Sequence, residues 1–207
     1  MALNIVDWAS RFQMMVPLAG HTPGAARRAY LQWVKLFGPP ETLYTDLGRE
    51  FKGAFEIGAE QDSTFIEPSS LEMPTQRSIT ERAGRSFKEV LTRTMMQVAC
   101  ATYEEWLNIV DVVNMTCNRL MNRSGFSPIQ PVLGFTPRIP GGLMTGGGND
   151  LATVSRCGGD LQVQRAEELR LAAAKAFPAE VVGTHRGTYA ACVHIVPLVV
   201  GYSYHLA

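Results

Sequence analysis

Paired cysteines, an excess of either charge and a long apolar run are all missing from this 207-residue chain. The four cysteines, Cys100, Cys117, Cys157 and Cys192, form no C-x-x-C pair, and no histidine stands at finger spacing from them. That excludes a zinc finger and supplies no disulfide framework, so free thiols packed as small hydrophobes in a reducing compartment are expected. Nineteen basic residues balance nineteen acidic ones, a formal net charge of +0. No global attraction to nucleic acid or to an anionic membrane follows, and any basic surface must be local. The opening "MALNIVDWAS" has no basic n-region and reaches Asp7 after six residues, unlike a secretory signal. The closing "CVHIVPLVVGYSYHLA" is apolar but is interrupted by His194, Pro197 and His205; a spanning helix needs ~20 apolar residues. The expectation is an intracellular protein, nuclear or cytoplasmic, with no membrane partner. With 46% apolar and 18% charged residues, the chain has a globular composition.

Its length suits one ordinary domain with an appendage. "LNIVDWASRFQMMVPL" is rich in Ile, Val, Trp, Phe and Met and has no helix-start signal; two strands, about 3–9 and 11–18, are expected. "HTPGAARRAYLQWVKLFGPP" has helix punctuation at both ends: Thr22 as N-cap, Pro23 at the first helical position, and Gly38-Pro39-Pro40 as the stop. "TLYTD" reads as a short strand ending at Asp46, "KGAFEIGAEQDS" as a helix weakened by Gly53 and Gly58, and "TFIEP" as a further strand. "PSSLEMPTQRS" reads as a loop from its Pro and Ser content. A long helix is expected from Ile79 to about Cys100, and another from Tyr103 to Met121 with Trp106, Ile109, Val110, Val113, Cys117 and Leu120 on one stripe. A turn-rich stretch then leads into a Gly-rich linker at 141–150 and a charged, Ala-rich helix within 151–177; residues 178–207 are left unassigned. This order of elements specifies an α/β layered domain rather than a helical bundle.

Two carboxylates carry the candidate chemistry. Asp46 ends a strand, and Glu81 lies 35 residues on, in the expected first turn of the long helix. A strand end and a helix start are positions that a rigid scaffold can aim at one point. Converging carboxylates repel unless a cation neutralises them, and Mg²⁺ is commonly held by one or two carboxylates with substrate phosphate completing the shell. Against this stands the plainer reading, in which Asp46 is a turn residue bonding its own backbone and Glu81 complements a helix dipole. Arg82, Arg85 and Lys88 follow Glu81, with Arg85 and Lys88 four and seven residues on and so on its helix face. Such a basic stripe suits phosphodiester contact, since backbone phosphates dominate nucleic-acid affinity. Trp8, Trp33 and Trp106 are read as core residues rather than base-stacking ones.

Four blocks resemble the catalytic core of retroviral and retrotransposon integrases. "LYTDLGREF" is similar to the block written T-D-x-G-x-E/N-F. "MPTQRSITERAGRSFKEVLTRTM" resembles the P-x-x-Q-x-G-x-x-E-R run that opens a helix. "LNIVDWASRFQMMVPL" resembles the strand pair V-D-x-x-S-R/G-Y/F, and "NRSGFSPIQPVLGFTPRIP" the closing block N-x-x-x-G-x-S/T-P of long-terminal-repeat elements. The blocks stand in the family's order and cover residues 3 to 140, so a core-like domain is expected over 1–140. Leu47 and Ser78 depart from the family's frequent Asn and Gly.

The resemblance implies a ribonuclease H-like fold, a mixed five-stranded sheet with helices on both faces, and DNA strand transfer by a two-metal mechanism with Mg²⁺ or Mn²⁺. It makes Asp46 and Glu81 the second and third members of an Asp-Asp-Glu set. The first Asp of the family lies on the strand preceding the pair at 3–18, which would fall upstream of Met1, so a core missing its first strand is expected. Asp7 belongs to the second strand. DNA and further copies of the chain are the implied partners. The alternatives are a non-catalytic remnant that binds DNA or multimerises, and another ribonuclease H-like nuclease or transposase, against which the Gly125-Phe126-Ser127-Pro128 block argues.

Overall fold

The computed structural model describes residues 1–46, 48–68, 74–120, 127–134, 165, 168–170, 172–173, 176 and 190–196, with side chains undescribed at 74–78 and 190–196. The Gly-rich linker at 141–150, Leu47 and most of the segments 135–189 and 197–207 lie outside these residues. The chain divides into two compact units. One is built from both ends of the chain, Met1–Arg85 and His185–Ala207; the other is Ser86–Thr184.

The first unit is a mixed α/β layer around one five-stranded sheet. Its strands are β1 (Ala2–Asp7), β2 (Gln13–Pro17), β3 (Thr42–Thr45), β4 (Phe65–Pro68) and β5 (Ala190–Val196), in the spatial order β2-β1-β5-β3-β4. β1 pairs antiparallel with β2 through a short turn. β3 and β4 are parallel, joined by the crossover that contains helix α2 (Ala54–Gln61). β5 joins the two halves, antiparallel to β1 and parallel to β3. All six residues of β1 are buried, as an apolar strand covered on both faces should be.

Helix α1 (Pro23–Phe37) forms where its punctuation demands. The Thr22 hydroxyl accepts from the Ala25 backbone N–H at 3.2 Å, Pro23 occupies the first helical position, and Gly38 ends the helix at φ +76°. Its buried residues Ala26, Ala29, Tyr30 and Trp33 recur at helical spacing and turn one stripe inward. Around them, Trp33 and Phe37 pack with Phe12, and Tyr30 packs on Phe55, which meets Phe51 edge-on. The Arg27 guanidinium lies over the Tyr30 ring and reaches the Asp62 carboxylate at 2.6 Å.

Helix α3 (Pro74–Gln97) begins five residues before the expected Ile79. Pro74, taken as a loop signal, sits instead at the first helical position, where its missing N–H costs nothing.

The second unit contains the later part of α3 and α4 (Tyr103–Arg119). α4 opens with a capping box: Thr102 Oγ1 accepts from the Glu105 N–H, and Glu105 accepts from the Thr102 N–H. Phe87, Val90 and Leu91 of α3 and Ile109, Val110 and Val113 of α4 are buried. Within 151–177, residues 165, 168–170, 172, 173 and 176 are helical, and Leu169, Ala172, Ala173 and Ala176 are buried. Arg93 donates to the Ala176 carbonyl and Arg165 to that of Ala99, fastening this segment to α3 and its exit. A short helix α5 (Ile129–Leu133) follows directly on Pro128, the last residue of the Gly-Phe-Ser-Pro block.

Candidate functional site

Asp46 is the residue after the last paired position of β3, at the end of the strand where the sequence placed it. Its carboxylate accepts weakly from the Gly48 N–H, at 3.4 Å. A β-carbon on Gly48 would lie 2.7 Å from Glu50 Oε2 and 3.0 Å from Asp46 Oδ1, so a side chain there would push the two carboxylate ends aside, while the φ of −59° is one that any residue adopts. Asp46 and Glu50 therefore crowd the same point. Glu50 Oε1 is in turn 3.3 Å from His21 Nδ1, ahead of α1. The sequence reading did not single out Glu50 or His21. Glu50 was nonetheless legible, because it occupies the E/N position of the T-D-x-G-x-E/N-F block; nothing local pointed to His21.

Glu81 is exposed on α3, in the third turn rather than the first, because the helix starts at Pro74. The helix-dipole role considered for it falls away, since that effect is confined to the first turn. One residue earlier, the Thr80 carbonyl accepts from the buried Asn4 amide at 3.4 Å, and Asn4 Oδ1 accepts from Gln13 at 2.9 Å. This polar relay runs from β2 through β1 to the turn of α3 that carries Glu81. Arg82 and Arg85 are exposed and Lys88 is half-buried further along the same helix, on the stretch belonging to the second unit.

Strand register decides what can stand beside Asp46. On β5, Val193 pairs with Thr45, so the next step along the two parallel strands sets His194 beside Asp46. On the other side of β5, His194 pairs with Asn4. Asp7 pairs with Ala191, the partner of Leu43, and so lies three register steps from the level of Asp46, about 10 Å along the strands. Its carboxylate is also committed locally: Oδ2 accepts from the Ser10 N–H at 2.7 Å and the Ser10 hydroxyl at 2.5 Å. Asp7 therefore locks the β1–β2 turn and does not supply a carboxylate at the level of Asp46. β5, "AACVHIV", has no Asp or Glu at any of its seven positions.

Among the described residues, no group of three or more His, Cys, Asp or Glu side chains could hold a metal ion. Among the described residues the donor set does not fit the two Mg²⁺ ions implied by the integrase resemblance: continued one step past its last pair, the register of the strand joining β1 to β3 brings His194, and no carboxylate, to the level of Asp46. Of the three tryptophans only Trp33 is fully buried; Trp8 and Trp106 are half-buried. Trp33 is core, Trp8 stacks on Tyr44 with ring centroids 4.9 Å apart, and Trp106 stacks on Tyr103.

No family model and no curated protein matches the chain. Among solved structures it is similar to the HTLV-2 integrase catalytic core domain in complex with magnesium. The dimeric form shares 21% identity at a TM-score of 0.51, over 62% of this chain and 81% of that one. The trimeric form shares 22% at 0.51, over 62% and 82%. A chain of the simian T-cell lymphotropic virus intasome in complex with PP2A regulatory subunit B56 gamma shares 20% at 0.55, over 67% of this chain and 49% of that one. Identities this low speak to fold alone. The chain has a fold resembling the retroviral integrase, ribonuclease H-like catalytic core. Among the described residues, no helix is long and apolar enough to cross a membrane.

Proposed function

We propose that this chain is a non-catalytic, integrase core-like domain of retroelement type that binds DNA through α3 and associates with further copies of itself. One observation carries the non-catalytic part: His194 takes the register position beside Asp46, while Asp7 is three steps away and bound into its own turn. Two-metal transfer needs ligands for both ions, one to activate the attacking oxygen and one to stabilise the leaving one. Asp46 and Glu81 would make at most a partial site for a single divalent ion.

The DNA-binding part rests on Arg82 and Arg85, exposed one and four residues beyond Glu81, with Lys88 one turn further on. In a chain of zero net charge, such a local basic stretch is what could attract phosphate. The solved relatives include a magnesium-bound integrase core and an intasome, which supports the same reading by analogy of fold.

The test is a Mn²⁺-dependent cleavage and strand-transfer assay on the full chain, with duplex binding measured in parallel at low salt. Binding without cleavage is expected. Cleavage that disappears in Glu81→Gln would show a complete site and overturn the non-catalytic reading, and undetectable binding would overturn the assignment to DNA.

A further inference from the structure

The centre of the sheet is filled from the far end of the chain. β1–β2 is a local hairpin and β3–β4 a local parallel crossover, so each half of the sheet can form from neighbouring sequence. Neither half pairs with the other. β5 lies between them, and it arrives only after the whole second unit, Ser86–Thr184. Its register spans six positions on β1 and four on β3.

Until β5 is in place, β1 and β3 each present an unpaired edge in apolar surroundings, with Leu3, Ile5, Val6 and Leu43 all at 0% exposure in the finished sheet. An open edge of that kind is a template for an added strand. The natural occupant has the matching composition: "AACVHIV" has no Pro and no Asp, Glu, Lys or Arg, and three of its seven residues are β-branched.

We propose that the gap between β1 and β3 is a strand-acceptor site whose ligand is the segment Ala190–Val196, and that two copies of the chain fill each other's gaps in a strand-exchanged dimer. Two features leave exchange within reach. Every backbone pairing made within one copy is available unchanged from a second copy, so the exchanged and closed forms differ mainly in chain entropy. The entropy of closing the gap from within the same chain rises only as the logarithm of the intervening length, and the effective concentration of a tethered strand falls as the tether lengthens. A long path therefore gives the chain's own strand a modest advantage that protein concentration can match. The inference does not depend on DNA binding.

Cys192 makes the test direct, because it pairs with Val6 on one flank and Tyr44 on the other. Paired Cα atoms lie about 4.5–5.5 Å apart across antiparallel strands, and neighbouring strands in general run about 4.7–4.9 Å apart, inside the range a disulfide can span. Two full-length chains are prepared on a Cys100→Ser, Cys117→Ala, Cys157→Ser background. One carries Val6→Cys with Cys192→Ala; the other keeps Val6 and Cys192. They are unfolded together, refolded at increasing concentration, oxidised and run on a non-reducing gel.

The expected result is a covalent heterodimer whose yield rises with refolding concentration, and little or none when the two chains are folded separately and then mixed. Tyr44→Cys in place of Val6→Cys should give the same pattern from the opposite flank, which keeps the test independent of either substitution's effect on folding. Leu3→Cys, three register steps from Cys192, should give none. Absence of the heterodimer with both flanking variants would overturn the proposal, as would equal cross-linking by Leu3→Cys, which would signal random encounter.

Discussion

Asp7 shows how one side chain's hydrogen bonds decide between two roles. It lies in a block that resembles an integrase strand pair, yet its carboxylate accepts two bonds from Ser10, and the Ser10 hydroxyl accepts from the Phe12 N–H at 3.1 Å. The arrangement holds the β1–β2 turn, in which Arg11 takes a left-handed φ of +64°. Asp7→Ala would leave the Ser10 N–H without its acceptor at a site where Asp7 is only 7% exposed. A loss of about 2 kcal/mol is expected, as for a hydrogen bond to a charged group, read as a lower urea midpoint at unchanged slope. A second residue-scale prediction concerns Cys117, a free thiol whose pKa burial pushes up from 9.0 to about 12. Between those values the unfolded chain releases a proton that the folded chain keeps, so stability falls as pH rises. The loss is at most about 1.4 kcal/mol per pH unit, and Cys117→Ala should remove that component of the slope between pH 9 and 11.

Whether an element was legible in the sequence depended on whether its signals were local. α1 was legible at both ends because a cap, a proline and a glycine each act on their own turn. The start of α3 was misplaced because Pro74 was read with its loop-like neighbours, and that error moved Glu81 from the third turn to the first. β5 was not legible at all: its partners are Ala2–Asp7 and Thr42–Thr45, more than 140 residues away, and no local feature encodes such a pairing. Where elements meet, the Gln13–Asn4–Thr80 relay is the exposed-to-test joint, since Asn4 is fully buried and ties β2 and β1 to the turn bearing Glu81. Asn4→Leu would remove both the Gln13–Asn4 and the Asn4–Thr80 hydrogen bonds from a buried position. A destabilisation of roughly 1–3 kcal/mol is expected, with faster hydrogen exchange along β1 and β2; an unchanged melting curve would show that the relay does not hold the elements together.

At the scale of the whole molecule, four sequence blocks were enough to point to the integrase-like fold, because each is short and its order along the chain is preserved. Of the candidate site, the placing of Asp46 at a strand end and of Glu81 on a helix was legible in the same blocks; what lies beside Asp46 was not, because it is fixed by the register of a strand from far along the chain. The proposed role of this fold is that of a DNA-binding scaffold, with Arg82 and Arg85 of α3 meeting phosphate. The most direct measurement is the salt dependence of duplex binding by the full chain and by an Arg82→Ala, Arg85→Ala double variant. Each phosphate contact contributes about 0.9 to the slope of log K against log salt. Binding is expected to weaken steeply with salt, at similar strength across duplex sequences, with a slope shallower by roughly two in the double variant. A slope that the two substitutions leave unchanged would contradict that role.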